Sequence, residues 1–299
     1  MWIQASENEY KSAQPKPARK NSFGLEHLEV RMFRVPEGEA ILIVFPDNTV
    51  WLVDGGNTSN EPSNTELAKV LQTHLESRPL LKLEVCVASH SHMDHIGALE
   101  TLLASGSSAL APRVTVYRAT GAWHRKAKFL DRYHQMVREQ NGVVEKIFPE
   151  RTEEIVPIAN HAEAHFFVGT GKSAYASLWM RLRYKSARLL FTGDSHQPYE
   201  RNLIKQFSAG HLRADVLKVT HHGSSSGTST QSVAAAKPAF AITSSSQDDP
   251  DHRLEDDTKA RILEPPGVKR RIFNTDTEGE IVVKTDGEDY GGAILYQVS

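Results

Sequence analysis

Six consecutive residues, His90-Ser91-His92-Met93-Asp94-His95, carry three imidazoles and a carboxylate directly after the apolar run Val85-Cys86-Val87-Ala88. Crowded imidazoles repel once protonated, so this density points to a shared cation that holds them together. In extended chain, residues two apart face the same way, which gives His90 and His92 to one ion. Asp94 and His95 fall where the chain turns into the helical-looking Ile96-Gly97-Ala98-Leu99-Glu100, and so reach a second ion. The ordinary alternative is a solvated histidine-rich turn. A strand-then-helix context argues against it, because that is how a rigid scaffold presents a catalytic loop.

Three further segments supply what a two-metal hydrolase still lacks. Val50-Trp51-Leu52-Val53-Asp54-Gly55-Gly56 is a strand ending on an acid and two glycines, which lets the backbone turn tightly behind the ions and makes Asp54 a candidate to support the ligands from behind. Leu189-Leu190-Phe191-Thr192-Gly193-Asp194 repeats strand, glycine and acid about a hundred residues on, and the two oxygens of Asp194 can bridge two cations. Val216 to Ser224 ends a strand on His221-His222-Gly223-Ser224, whose amide and hydroxyl could meet a bound anion. Alone, each is weak, since a strand ending in Asp-Gly is usually just a turn.

Together these segments resemble the metallo-β-lactamase superfamily, and within it the soluble hydrolase domain of the ComEC competence DNA-uptake proteins. The likeness runs from about Leu28 to Thr285. It takes in the glycine-acid-alanine strand opening Gly38-Glu39-Ala40, the Asp54 turn, the His90 to His95 loop, Ser177-Leu178, Thr192-Gly193-Asp194 and Leu217-Lys218-Val219-Thr220-His221-His222-Gly223-Ser224. The resemblance implies an α/β fold, the αββα sandwich of two mixed sheets flanked by helices, and two divalent ions, zinc or manganese. His90, His92 and Asp194 would hold the first ion; Asp94, His95, Asp194 and one of His221 or His222, with His222 slightly favoured, the second. The resemblance also places a histidine after a serine-bearing strand end, where His252 follows Ile242-Thr243-Ser244.

One position departs from the superfamily pattern. Most members have a further histidine four residues before the serine matched by Ser177, and here that residue is Ser173. The ComEC-type domains lack it too, so the first site is expected to be weaker and filled unequally. His161 and His165 are the candidates to substitute, although both read as exposed.

The implied chemistry is attack by a metal-bridging hydroxide whose pKa the ions lower. Asp94 belongs to both the metal set and the catalytic set. The histidine of the His221-His222 pair not bound to metal could donate to a phosphate oxygen or protonate a leaving group. His252 is a second candidate for that acid, and Ser224 and Lys218 are lesser candidates for phosphate contact. The pattern points to a phosphodiesterase acting on a nucleotide, oligonucleotide or other small phosphodiester. Lactone, thioester or β-lactam hydrolysis is the alternative, because the same nucleophile attacks carbonyls, and a non-catalytic metal-binding module is the third reading.

Positioning these residues requires strands at about Leu28 to Arg34, Ala40 to Phe45, Thr49 to Val53, Leu83 to Ala88, Val114 to Tyr117, Ser177 to Tyr184, Ala187 to Thr192 and Val216 to Thr220. A helix is expected over Glu66 to Glu76, with Leu67, Val70, Leu71 and Leu75 at helical spacing and Thr65 or Asn64 as cap. Residues 1–26 read as a polar lead-in, and 27–299 as a single hydrolase domain. Within it, residues 121–147 read as a helical insertion. Its Trp123, Leu130, Tyr133 and Val137 stripe with Arg125, Lys126, Lys128, Arg132 and Arg138 suits either a solvated amphipathic helix or a lid over the metals.

The 299 residues suffice for one large core, and 39% hydrophobic with 24% charged residues is an ordinary globular balance. A net charge of −2 argues against tight binding of long duplex DNA and favours a short nucleic acid or small phosphodiester as partner. Cys86 is the single cysteine and fits a reducing compartment. The chain has no apolar stretch of membrane-spanning length and no signal-peptide core, so a cytoplasmic protein without a membrane partner is expected.

Overall fold

A computed structural model of the chain describes residues 1–6, 27–57, 61–120, 123, 128–158, 161–170, 176–207, 209–249, 252–264, 270–291 and 293–299. Its strands are β1 (Trp2–Ser6), β2 (Leu28–Met32), β3 (Ile41–Val44), β4 (Thr49–Val53), β5 (Lys82–Ala88), β6 (Leu110–Ala119), β7 (Val143–Phe148), β8 (Glu153–Ile158), β9 (Ala162–Phe167), β10 (Trp179–Tyr184), β11 (Ala187–Phe191), β12 (Val216–Lys218), β13 (Phe240–Thr243), β14 (Ile272–Asn274), β15 (Ile281–Thr285) and β16 (Ala293–Val298). They form a nine-stranded sheet ordered β1-β16-β15-β2-β3-β4-β5-β6-β7 and a seven-stranded sheet ordered β14-β13-β12-β11-β10-β9-β8. Both are mixed: β4 to β7 run parallel in the first, and β11 to β14 in the second.

The parallel stretches read as near-continuous apolar runs because they are covered on both faces. Between the sheets lie Val30, Ile43, Trp51 and Val87 from the first and Phe166, Leu182, Leu189 and Phe240 from the second. Trp51 stacks on Phe166 across that layer, with centroids 6.5 Å apart. The short helix α2 (Met93–Ile96) follows β5, and on the outer face of the first sheet pack helices α1 (Glu61–Glu76), α3 (Leu99–Ala104) and α4 (Lys128–Glu139). The second sheet is covered by α5 (Gln197–Gln206), α6 (Thr230–Ala236) and α7 (Asp256–Leu263). The result is the αββα sandwich. Among the described residues no helix is long and apolar enough to cross a membrane.

Three sequence readings need correction. Trp2–Ser6, taken as the start of a polar lead-in, is an edge strand paired antiparallel with β16; residues 7–26 of that lead-in lie outside the described residues. The segment 121–147, taken as an insertion, contains α4 and most of β7, the crossover helix and parallel strand of a βαβ unit. Leu130, Tyr133 and Met136 of α4 are buried against the outer face of the first sheet, so α4 is a layer of the sandwich and no lid. Arg125 and Lys126 are outside the described residues, while Trp123 packs on Arg118 and Tyr133. Finally, α1 begins at Glu61 and not near Glu66; the side-chain Oδ1 of Asn64, the expected cap, accepts from the Asn57 backbone amide at 2.7 Å.

Candidate metal centre

Parallel strands leave their carboxyl ends open to loops, and ligand sites gather there. Here the ends of β4 and β5 in one sheet meet those of β11, β12 and β13 in the other. Asp54, directly after β4, has left-handed backbone (φ 54°) and is fully buried. Its Oδ1 accepts from the Ser89 amide at 2.8 Å, and its Oδ2 accepts from the Ser89 hydroxyl at 2.7 Å and from His95 Nδ1 at 2.8 Å. These bonds set the tautomers of the ligand loop. A carboxylate can only accept, so His95 carries its proton on Nδ1 and leaves Nε2 with a lone pair. The Ser89 hydroxyl has spent its hydrogen on Asp54, so at 3.0 Å it accepts from His90 Nδ1, and His90 Nε2 is likewise left as a lone pair. His222 Nδ1 donates to the Ser244 carbonyl at 3.1 Å, with the same result for its Nε2.

Three lone-pair nitrogens and two carboxylates thus converge. His95 Nε2 is 3.0 Å from Asp194 Oδ2, 3.4 Å from Asp94 Oδ2 and 3.2 Å from His222 Nε2. His222 Nε2 is 3.4 Å from Asp194 Oδ2 and 3.9 Å from Asp94 Oδ2. Next to this group, His90 Nε2 lies 3.7 Å from Asp194 Oδ2, and the ligand atoms of His90, His92 and Asp194 form a second cluster within 4.8 Å. Asp194 belongs to both. Facing lone pairs repel, and His90 Nε2 is buried with no hydrogen-bond partner. A cation at each cluster would satisfy these atoms, so the donor set fits divalent metal ions bound by imidazole and carboxylate.

The charge balance agrees. Burial disfavours a charge on the His95 ring, yet Asp194, Asp94 and Asp54 raise its pKa well above the ordinary value, so with no cation in the cluster a proton sits on Nε2 in its place, and the lone pair is the form that would bind a metal. For Asp194, burial is outweighed by His95 and His222, which hold its carboxyl well below the usual range. His90 is pushed down by burial and by His95.

Local backbone explains how the ligands are presented. Two residues beyond β11, Gly193 has φ 52°, and a Cβ there would lie 2.6 Å from the Ser177 side chain and 2.8 Å from Ser89 Cβ, so only glycine fits. The Asp194 amide donates to Ser177 Oγ at 2.9 Å. His221 and His222 both adopt left-handed backbone, φ 53° and 55°, which splays their rings to 6.2 Å between centroids. His222 turns into the cluster and is fully buried, whereas His221 stays at the rim, its Nε2 3.9 Å from Asp194 Oδ2 and its Nδ1 2.9 Å from Ser226 Oγ.

The other candidates divide. His252 stands at the rim of the cluster, with Nε2 3.4 Å from Asp94 Oδ2 and Nδ1 2.8 Å from Asp249 Oδ2; burial opposes its protonation, but the two carboxylates lift its pKa to about 9. Ser224 is half-buried beside His221, its hydroxyl 3.0 Å from that of Ser226. Lys218 is not available to a phosphate. Its ammonium is fully buried, donates to the Gly193 carbonyl at 3.2 Å and pairs with Glu39 Oε2 at 2.5 Å. Ser173 lies outside the described residues. His165 is buried in β9, 3.2 Å from Glu153, and neither it nor His161 belongs to a metal-type cluster of the described residues. Sequence reasoning missed Glu39, Ser89, Ser244 and Asp249. Glu39 alone had a readable signal, an acid at the mouth of the apolar run Ala40 to Val44.

Comparison with known proteins agrees with this geometry. The model of the metallo-β-lactamase superfamily matches residues 35–175, which include Asp54, His90, His92, Asp94 and His95. ComE operon protein 3 of Bacillus subtilis (strain 168) is 24% identical over 263 residues; these are 85% of this chain but 32% of that protein, so the chain spans about a third of this relative's length. Among solved structures, the metallo-β-lactamase fold protein YhfI from Bacillus subtilis superposes with a TM-score of 0.53 at 14% identity, over 85% of this chain and 98% of YhfI. The short form of human tRNase Z gives a TM-score of 0.47 at 15% identity, over 74% of this chain and 93% of that one. Donor set, family model and fold agree: residues 35–175 match the metallo-β-lactamase superfamily, and the chain has the metallo-β-lactamase fold.

Proposed function

We propose that the chain is a metal-dependent phosphodiesterase for a nucleotide, a short oligonucleotide or another small phosphodiester. The observation that carries this reading is the buried convergence of His95, His222, Asp94 and Asp194, with His90 and His92 alongside, at the junction of the two sheets. These six residues would hold two divalent ions, zinc or manganese. When bound, the ions supply a water acidic enough to attack at neutral pH and positive charge for the oxyanion that develops.

The chain's own residues do the rest. Asp54 and Ser89 keep His95 and His90 in the tautomers that present Nε2, and Ser244 does the same for His222. Around the buried ligands stand groups that can donate to an anion: His221, Ser224 and Ser226 on one side and His252 on the other. That rim favours a phosphodiester over a neutral carbonyl substrate. His252, hydrogen-bonded to Asp249, can carry a proton to a departing alkoxide, with His221 as the second candidate. Ser224 contributes one hydrogen bond to a phosphate oxygen. The overall charge of −2 favours a short substrate.

The test is turnover by Zn²⁺- and Mn²⁺-reconstituted protein of bis-p-nitrophenyl phosphate, single-stranded DNA, cyclic dinucleotides, a lactone and nitrocefin. Phosphodiester cleavage is expected. Turnover confined to the lactone or nitrocefin replaces this reading with carbonyl hydrolysis, and no turnover despite bound metal favours a non-catalytic binding module.

A further inference from the structure

Behind the ligand cluster lies a buried charge pair that none of the roles above uses. Glu39 leads into β3 of the first sheet and Lys218 ends β12 of the second; both side chains are at most 1% exposed. The ammonium lies 2.5 Å from Glu39 Oε2 and 3.9 Å from Asp194 Oδ1. Burial opposes the charge on Lys218, but Glu39 and Asp194 raise its pKa above the usual lysine value. Glu39 is itself pinned, its amide donating to the Asp94 and Gly56 carbonyls at 3.0 and 3.1 Å. Two carboxylates therefore compete for one ammonium. Asp194 Oδ1 is buried and without a hydrogen bond although the ammonium is one small step away.

We propose that Glu39 is a positioning residue that restrains the Lys218 ammonium, so that Asp194 keeps its charge for the cations of the metal centre. The inference rests on Asp194 being a metal ligand. Its physical content is a competition. An ammonium released from Glu39 would close on Asp194 Oδ1, form a charge-assisted hydrogen bond there and offset the carboxylate that both clusters share. Glu39 thus governs metal affinity without touching a metal, and Lys218 is the group through which it acts. Because Glu39 and Lys218 sit on different sheets, their pairing also fixes how deeply Asp194 stands over the His90 to His95 loop.

The experiment compares the wild type, Glu39→Gln and Glu39→Gln/Lys218→Met as full-length chains. Mn²⁺ affinity is measured by isothermal titration and Zn²⁺ affinity by competition with a chromophoric chelator, with the melting temperature of each metal-free protein alongside. Glu39→Gln is expected to weaken metal binding by about tenfold or more, the size of effect usual for groups that orient ligands. Removing the freed ammonium in the double variant should restore affinity to within about threefold of wild type, whatever its melting temperature. A purely structural pair would change melting and leave affinity alone, or lose affinity equally in both variants; either pattern overturns the proposal. Should Glu39→Gln fail to fold, Glu39→Asp, which draws the charge back by one methylene, should lose affinity to a smaller degree, and unchanged affinity there counts against the idea. A wild type that binds no metal would refute the metal centre itself, a separate outcome.

Discussion

The Asp54 carboxylate touches His95 Nδ1 directly at 2.8 Å and reaches His90 Nδ1 through the Ser89 hydroxyl, so one acid after β4 sets the Nδ1 proton of a histidine in each candidate metal cluster. Asp54→Asn replaces a double acceptor by a group with one acceptor and one donor. One of the two histidines then loses the partner that fixes its tautomer. Metal affinity should fall by roughly 10 to 100-fold, read by chelator competition. An Asp54→Asn variant that binds Zn²⁺ as tightly as the wild type would show that the tautomers are set elsewhere.

Removing a ligand should cost more. Asp94→Ala and His95→Ala are each expected to lower turnover of bis-p-nitrophenyl phosphate by about two orders of magnitude or more. Wild-type rates in either variant would end the metal-hydrolase reading. Ser224→Ala should be much milder, because a single neutral hydrogen bond is worth about 0.5 to 1.5 kcal/mol.

Metal loading should be unequal. The cluster of Asp94, His95, Asp194 and His222 offers two carboxylates, whereas His90 and His92 share only Asp194. Titration of metal-free protein should resolve one tight and one weaker site, and Ser173→His should tighten the weaker one. Two sites of equal affinity would point to an additional ligand.

Leaving groups should reveal the acid. If His252 delivers a proton, His252→Gln should slow substrates with alkoxide leaving groups by about 10²-fold or more while sparing p-nitrophenolate, which departs unaided. A uniform loss across a leaving-group series would assign His252 a different role, and the same series on His221→Gln would test the alternative.

Far from the centre, Glu29 gives a prediction for acid stability. Burial works against its charge, but Lys284 at 3.0 Å and Arg31 at 2.9 Å lower its pKa from 4.5 to about 2. A depressed carboxyl contributes stability that is complete above the unfolded value and fades as pH falls from about 4.5 towards 2. After discounting for the partly exposed partners, Glu29→Gln should cost roughly 2 kcal/mol at neutral pH. Denaturant titrations should show that difference shrinking through the acid window; a constant difference would mean that the loss is one of packing.

The His90 to His95 cluster was readable from sequence because its candidate ligands lie within six residues and their spacing acts locally. Asp54, Asp194 and His222 were readable because each ends an apolar run on a residue type that such runs otherwise avoid. Glu39 and Lys218 were harder. A buried ion pair is made by two segments 179 positions apart, and neither segment announces its partner. Lysine in an apolar strand suggested a hand reaching for phosphate, whereas topology turns it inward. The 121–147 segment misled for a related reason: the Arg and Lys positions suggested a free helix, but only the parallel pairing of β6 with β7 shows that a crossover helix must sit there. His165 looked exposed between polar neighbours, yet a strand alternates faces and its ring falls on the covered one.

The two carboxylates and two imidazoles of the four-residue cluster come in equal number from the two sheets: Asp94 and His95 from the first, Asp194 and His222 from the second. An ion held there is therefore a removable staple. It closes a loop of about a hundred residues between Asp94 and Asp194, and such closures restrict the unfolded chain as a cross-link does. Chelation should consequently do more than silence chemistry. It leaves the sheets joined at that end by the Glu39–Lys218 pair and by the Ser244 hydroxyl donating to the Gly38 carbonyl at 2.9 Å, so the metal-free sandwich should open first along this seam.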